Sequence, residues 1–538
     1  MRASMMKGSK ALMAAGLAAA VLAGCSSNSG SNSSASPTAS ESGSPSASPS
    51  ASPSASPSAS ASPEAAKPDT SKEVKLKMYL IGDAPKDLGL VYDEVNKLMK
   101  KDINATVEPM FLSWGDYVQK YPLLFATGEE FDLVYAANWN KYGEQANKGA
   151  FLELTPELLN TYMPQTMKEM PPEAWEQAKV KDKIYMVPSS YKGFSHVVVG
   201  VRGDLREKYG IPELKTVDDF EKYLDAVAKN EPSLVPFDAG ASTYATGDLI
   251  INTKFTPKLI IGSSGVSVDL KDLSGKLIDI SQTPEYMEYA KKMADWNKKG
   301  YWSKNALLNK TPIKDSYLAG KSASMAGNLL DMSLSVATAN QNHPEWKTEL
   351  FDLYNGAATF VNPYIGDGMA INANSKNPER ALMALDLLRN NEAYFNLTTY
   401  GIEGKHYKMT ADGKVQALGG SESGFKVDSG SPWGWKTAAL YKPLSDQPPE
   451  FKEIQEAWTK TAVSNPLLNF VFDTTNVKNE LAALKNIADQ YRTPITLGVV
   501  DDPVAAVNTM NAKYKEAGLE KVVAEAQKQI DAFLQSQK

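Results

Sequence analysis

Between Val74 and Ala136 the chain keeps changing its hydrophobic period, and that alternation restricts the fold more than any other feature. Val74-Lys75-Leu76-Lys77-Met78-Tyr79-Leu80 alternates apolar and polar residues, then turns wholly apolar, as a strand entering a core does. Gly82 and Asp83 end it. Leu90, Val91, Val95 and Leu98 then recur at helical spacing. Ala105 to Phe111 reads as a second strand, and Asp116 to Ala126 as a helix stopped by Gly128. Phe131 to Ala136 reads as a third, buried strand, ending at Asn138 and Trp139. Strand and helix in alternation call for right-handed β-α-β units around a mainly parallel sheet, so the fold class is α/β.

The mixture continues downstream. Lys183 to Pro188 and the valine-rich Ser195 to Val201 read as strands. Thr216 is placed to cap a helix over Val217 to Lys229, with Asp218 and Asp219 suiting its first turn. Thr283-Pro284 opens an amphipathic helix that Gly300 ends. Ser322 to Asn328 reads as a strand of small residues followed by a turn. Helices are expected over Pro378 to Asn390, Thr475 to Tyr491, Pro503 to Ala517 and Leu519 to Gln537. No repeat of solenoid period is present. A body running from Glu73 to Lys538 is more than one hydrophobic core usually supports.

The N-terminal part is of a different kind. Arg2, Lys7 and Lys10 make a basic start, and Ala11 to Ala23 is an apolar run of signal-peptide length, too short to span a bilayer comfortably. Leu22-Ala23-Gly24-Cys25 closes it and holds the only cysteine. This stretch resembles a bacterial lipoprotein signal, in which the chain is cut before the cysteine and the cysteine is acylated. Residues 1–24 are then the leader and Cys25 the lipid attachment site. Ser26 to Pro63 is a Ser-Ala-Ser-Pro tract whose one charge is Glu41. It has too little apolar surface to offset the entropy of folding, so residues 25–72 are expected to be a spacer.

Charge and cysteine usage exclude several classes. The net charge is −6, and it becomes three units more negative if Arg2, Lys7 and Lys10 leave with the leader. An acidic body is a poor partner for nucleic acid, whose binding rests on neutralising phosphates. With one cysteine, internal disulfides and a thiolate zinc site are both excluded. His196, His343 and His406 are scattered, without ligand spacing. There is no G-x-S-x-G, Walker A or H-E-x-x-H motif. No EF-hand spacing is present, and no cofactor is expected. Nothing singles out a glycosidase pair among the 63 acidic residues, though the pattern alone leaves one open.

Four further stretches carry a resemblance. They are Trp114-Gly115-Asp116-Tyr117 through Gly128-Glu129-Glu130-Phe131-Asp132-Leu133 to Asn138-Trp139; Lys183-Ile184-Tyr185-Met186-Val187-Pro188 before Arg202-Gly203-Asp204-Leu205 and Lys208-Tyr209-Gly210; Ala319-Gly320-Lys321-Ser322-Ala323-Ser324-Met325; and Tyr400-Gly401-Ile402-Glu403-Gly404-Lys405-His406-Tyr407. With the lipoprotein signal and spacer, their order resembles the extracellular sugar-binding lipoproteins of Gram-positive ABC importers. Within these it resembles the large oligosaccharide-binding subgroup, with its extra C-terminal helical module. The resemblance implies a two-lobe periplasmic-binding-protein-like (type II-like) fold with lobes discontinuous in sequence. On that basis residues 73–190 form a first lobe, 191–320 a second, 321–363 return to the first, and 364–538 complete the second with the helical module. It also implies an oligosaccharide ligand, ABC permease subunits as partners, a monomer, and membrane attachment by lipid alone.

A sugar needs planar donors and acceptors plus aromatic plates, and with nine Trp and 24 Tyr most aromatics must be core, so position has to select among them. Ligands of open α/β sheets bind beyond the carboxyl ends of strands, which selects Asn138 and Trp139. Asp83 also follows a strand and either faces a ligand or caps the next helix; Asn328 and Asp331 carry the same two readings. Trp433 and Trp435, in a Gly/Ser/Pro loop, either face a ligand or plug the loop onto the helical module. Glu403 and His406 either bond hydroxyls or belong to a surface turn. Tyr191 and Tyr364 lie near expected lobe crossings. Trp114 opens a helix and reads as a packing residue.

Overall fold

A computed structural model of the chain describes residues 68–240 and 245–537; the leader, Cys25 and the spacer to residue 67 lie outside the described residues. The ordered body starts slightly earlier than expected. Arg380 donates to the carbonyls of Asp69 and Lys72, and Asn104 to those of Thr70 and Ser71, so this short stretch of the expected spacer is already tied to the fold.

The alternating segment forms the elements its periods require. Strand β1 (Val74–Ile81) is joined by helix α1 (Leu88–Ile103) to strand β2 (Ala105–Leu112), parallel and in register from Val74 opposite Ala105 to Ile81 opposite Leu112. Helix α2 (Tyr117–Ala126) leads to the short strand β3 (Leu133–Tyr135), parallel to β1 on its other side. Helix α1 buries Val91, Tyr92, Val95 and Met99, while Leu90, expected on the inner face, is 47 % exposed. Tyr92, two residues after Leu90, and Met99, one after Leu98, take the buried positions. Two antiparallel strands, Gly368–Ile371 and then Val187–Pro188, complete a five-stranded sheet beyond β3. Asp132, in the Gly-Glu-Glu-Phe-Asp-Leu stretch, is structural. Its carboxylate accepts the Lys77 N–H and the Ser375 hydroxyl, stitching β1 to the turn after the fourth strand.

A second core is built around Val197–Val201, which has antiparallel neighbours on both sides, Ser324–Asn328 and Glu349–Phe351. This corrects the expectation for residues 321–363. Ser324–Asn328 does not return to the first lobe; it is the partner of Val197–Val201. Met325 lies opposite Gly200, where any Cβ would sit 2.6 Å from the methionine Cε, so glycine makes room for that one side chain. The return to the first lobe comes later. Tyr364, Met369, Leu382, Leu385 and Phe425 all belong to the first core, whereas Tyr354 and then Ile454 and Trp458 belong to the second. The chain therefore crosses between the cores after Val187, after Tyr354 and after Trp435. Each core is a separate block of buried apolar surface, the two-lobe α/β arrangement expected for a chain this long.

The C-terminal helices Pro503–Glu516 and Leu519–Ser536 pack on the second core through Val507, Met510, Tyr514 and Val522. The helix expected over Thr475 to Tyr491 is broken into a 3₁₀ turn (Thr475–Val477), an α-helix (Lys478–Ile487) and a π turn (Ala488–Arg492). Pro494, just beyond, has no N–H to donate to the turn before it, so the ladder widens there. Caps fall where the sequence sets them: Thr216 accepts the Asp219 N–H and Thr283 the Tyr286 N–H, contacts worth about 1 kcal/mol each.

Candidate functional site

The carboxyl ends of β1, β2 and β3 open onto one surface, and each ends in a residue that stays on it. Asp83 follows β1, Trp114 follows β2, and Asn138 and Trp139 follow β3. Trp114 and Trp139 lie 6.3 Å apart between centroids with their planes 26° from parallel, and Trp433 lies 5.7 Å from Trp114. Tyr117 meets both Trp114 and Trp139 edge-on, and Tyr135 lies against Trp139 and Trp433. Gly82 permits this assembly. Its φ is +131°, and a Cβ there would sit 2.8 Å from the Ser431 hydroxyl, so a side chain would push the Trp433 loop off the strand end. Trp139 is 47 % and Trp114 37 % exposed. The Trp139 indole N–H donates to the Gly366 carbonyl at 2.8 Å, which fixes the ring while leaving much of its surface open. Paired open indoles on a braced scaffold make this surface the candidate binding site. Trp114, expected as a packing residue, stands at the centre of this platform. Asp83 is exposed and makes no capping bond to α1; Asn138 is exposed beside Trp139.

The second lobe brings charge toward this surface. Asn328 caps the helix Leu329–Asn342 by accepting the Asp331 N–H at 2.9 Å, and Asp331 pairs with Lys314 at 2.7 Å. Burial pulls the Lys314 ammonium down, but the carboxylates of Asp331, Asp315 and, from the first lobe, Asp428 outweigh it and hold the pKa above the usual lysine value. Asp315 is open to solvent yet hemmed in by protein. That burial, with the charges of Asp331 and of Asp83 from the other lobe, raises its pKa against the pull of Lys314 and Lys426. Lys120 first, and Lys310 of the second lobe last, lower the pKa of Asp116. Groups of the two lobes thus lie close enough for their charges to act on one another.

Between the walls, the crossing segments supply the floor. Lys436 and Asp428 form a buried ion pair, 3 % and 8 % exposed at the side chain, with Lys436 also 5.2 Å from the Tyr191 ring centre and 5.0 Å from that of Tyr441. The second Asp428 oxygen and the Tyr441 hydroxyl have no partner among the described residues. Tyr135 donates its hydroxyl to Asp367, whose carboxyl is raised by burial and by Asp428 against the pull of Tyr135 and Lys436. Chemically, the site offers indole faces for C–H surfaces, carboxylates that accept hydroxyls and ammonium groups that donate. Among the described residues no three His, Cys, Asp or Glu side chains converge to hold a metal ion.

Several expected site residues lie elsewhere. Trp435 is 0 % exposed and its indole N–H donates to the Thr398 hydroxyl inside the first core, so it is a plug and not a ligand plate. His406 is also removed from the ligand. Its Nδ1 accepts the Ile402 N–H at 2.9 Å and its Nε2 meets Asp87 at 3.1 Å, locking the 401–407 turn onto the start of α1. Gly401 belongs to the same lock, since a Cβ there would lie 2.5 Å from His406 Nδ1. His406 borders a cavity of only about 40 Å³, room for a water or two but not a sugar ring. Glu403 is exposed on that turn and its charge reaches Tyr407. Tyr191 lies at the floor, half-buried, and Tyr364 lies on the turn that Trp139 is bonded to. Sequence reasoning missed Tyr117, Lys314 and the Lys436–Asp428 pair. For Tyr117 a signal was present in the Trp-Gly-Asp-Tyr stretch directly after a strand; for the others only the juxtaposition of distant segments reveals them.

Comparison with known proteins identifies the family of the chain. Residues 86–394 match the family described as bacterial extracellular solute-binding protein, and residues 466–535 match a domain of unknown function. A carbohydrate ABC transporter substrate-binding protein of Streptococcus pneumoniae serotype 4 is 28 % identical over 482 residues, covering 87 % of this chain and 93 % of that one. The crystal structure of an N-glycan transport solute binding protein of S. pneumoniae in complex with Man1GlcNAc aligns with a TM-score of 0.72 at 26 % identity, covering 86 % of this chain and all of the other. The same protein in complex with Man5GlcNAc aligns at 0.70 and 27 %, covering 87 % of this chain and all of the other.

Proposed function

The chain belongs to the bacterial extracellular solute-binding protein family, and from that premise we propose that it captures an oligosaccharide between its two lobes and delivers it to the permease of an ABC importer. The observation that carries this reading is the indole platform at the carboxyl ends of β1 to β3, beside which Asp83 and Asp116 lie close enough to Asp315 and Lys310 of the other lobe for their charges to interact. Stacking and hydroxyl recognition together match a saccharide's apolar ring faces and polar rim. The relatives named above bind or import carbohydrate by their own descriptions, which supports the same class. Closure of the lobes about the crossing segments would let ligand binding select the conformation that the membrane subunits recognise.

The protein acts as a monomeric receptor and leaves its ligand chemically unchanged. Cleavage after Gly24 and acylation of Cys25 would hold it on the outer face of a Gram-positive membrane, with the Ser/Ala/Pro spacer setting its distance from the lipid. Among the described residues no helix is long and apolar enough to cross a membrane. A thermal-shift screen over neutral oligosaccharides, Man1GlcNAc and Man5GlcNAc included, tests the reading. A ligand at 100 times its Kd stabilises the native state by about 2.7 kcal/mol. A shift with dipeptides and none with any saccharide would move the ligand to another class. Shortened products after incubation with an oligosaccharide would make the protein an enzyme.

A further inference from the structure

A cavity of about 400 Å³ lies where the C-terminal helical module meets the first lobe, inside the roughly 300–1,000 Å³ range of small-molecule pockets. Gln177, Lys192 and Tyr364 line one side of it, and Asn465, Asn469 and Phe533 the other. We propose that this cavity is an end subsite of the binding groove, supplied by the C-terminal module, that takes a neutral sugar unit of a ligand whose other units lie on the indole platform. The proposal rests on the carbohydrate reading above and assigns a role to the segment whose family has no known function.

Position comes first. Tyr364 opens the turn Tyr364–Gly366, and Gly366 receives the Trp139 indole N–H. One turn of chain therefore has the platform on one side and the cavity on the other. The module also reaches the first lobe directly. A Cβ on Gly143, four residues after Trp139, would lie 2.7 Å from a Val471 methyl carbon, and the charge of Lys181 acts on Asp473.

Chemistry comes second. The wall is rich in primary amides; the Gln177 and Asn465 oxygens already accept the Tyr364 and Leu467 N–H groups, which leaves their NH₂ groups as donors suited to hydroxyl or acetamido oxygens. Asn465 accepts the Leu467 N–H through Oδ1, while its Nδ2 is buried without a partner among the described residues. Such a donor costs stability unless something bonds it. Phe533 supplies an apolar face, held edge-on by Phe470 at 5.6 Å. Lys192 lies over the Tyr364 ring, 4.2 Å from its centre, and the Glu173 carboxylate lines the same cavity, so one charge of each sign borders it and neither sign of ligand is favoured.

The test uses the full chain with Man1GlcNAc and Man5GlcNAc as short and long probes, measured by titration calorimetry. Asn469 is exposed at the rim, so Asn469→Trp fills the cavity without touching a core. It should weaken Man5GlcNAc at least tenfold and leave Man1GlcNAc within twofold. Asn465→Ala, which removes the unpartnered donor, should show the same selectivity more weakly. Equal losses on both probes, or no loss on either, would overturn the subsite while leaving the platform reading intact. If the wild type binds neither probe nor any member of a neutral oligosaccharide panel, the carbohydrate reading falls and the subsite with it.

Discussion

Replacing Trp139 by alanine removes the largest open plate of the platform, and the expected loss can be worked from its exposure. The ring is 47 % exposed, which for an indole is on the order of 100 Å². A sugar ring lying on one face covers about half of that, and at ~25 cal/mol per Å² the contact is worth about 1.25 kcal/mol. Trp139→Ala is therefore expected to weaken oligosaccharide binding about tenfold. Trp139→Phe keeps a stacking face and loses only the bond to the Gly366 carbonyl, so its affinity should fall no more than about threefold. Titration calorimetry, well below the melting point of each variant, reads both constants. Circular dichroism establishes that each variant is folded. If folded Trp139→Ala binds within twofold of the wild type for every saccharide that the wild type binds, the ring does not touch ligand and the platform argument fails.

Other consequences concern stability and location. Lys436→Met strands the Asp428 carboxylate in a buried site, 8 % exposed, and should destabilise the protein by about 3–5 kcal/mol in urea titration; adding Asp428→Leu should recover most of that. Simple additivity of the two losses would rule out the pairing. His196 is 2 % exposed, stacked 3.7 Å from Tyr354, and burial lowers its pKa from 6.5 to about 4. The unfolded chain takes up a proton below about pH 6.5 while the folded one resists until about pH 4, so stability is full above pH 6.5 and falls across that interval. His196→Phe should flatten the fall in melting temperature, and an unchanged slope would assign the acid loss to other groups. Cys25→Ser should move the protein from the membrane fraction to the medium; retention at the membrane would place the anchor elsewhere.

How much could be read in advance differed by kind of residue. The period of Val74 to Ala136 carried the α/β class, and the caps at Thr216 and Thr283 followed from local chemistry alone. Trp139 could be picked out because a buried strand delivers its next residues to the carboxyl end of the sheet, whatever lies around them. Trp435, two residues from Trp433 in the same loop, shows the limit. A 3₁₀ turn over Pro432–Trp435 sends one indole to the platform and the other into the core beside Thr398. No composition rule separates them. His406 looked available because both its nitrogens are polar; a backbone N–H four residues upstream and a carboxylate 319 positions away took them.

By itself, then, the sequence did not show the helix Leu329–Asn342, expected as a turn, but it determined the strands and helices of Val74 to Ala136, the capped helices after Thr216 and Thr283, that the chain must build more than one core, and where strand ends leave residues open. These depend on neighbours within a few positions, where hydrophobic period and cap chemistry act directly. Tertiary structure alone decided that Ser324–Asn328 pairs with Val197–Val201, that Lys314 pairs with Asp331, and that Trp114 stands beside Trp139. Those depend on complementary shape and charge between segments tens to hundreds of residues apart, and such a match exists only once both sides have been brought together.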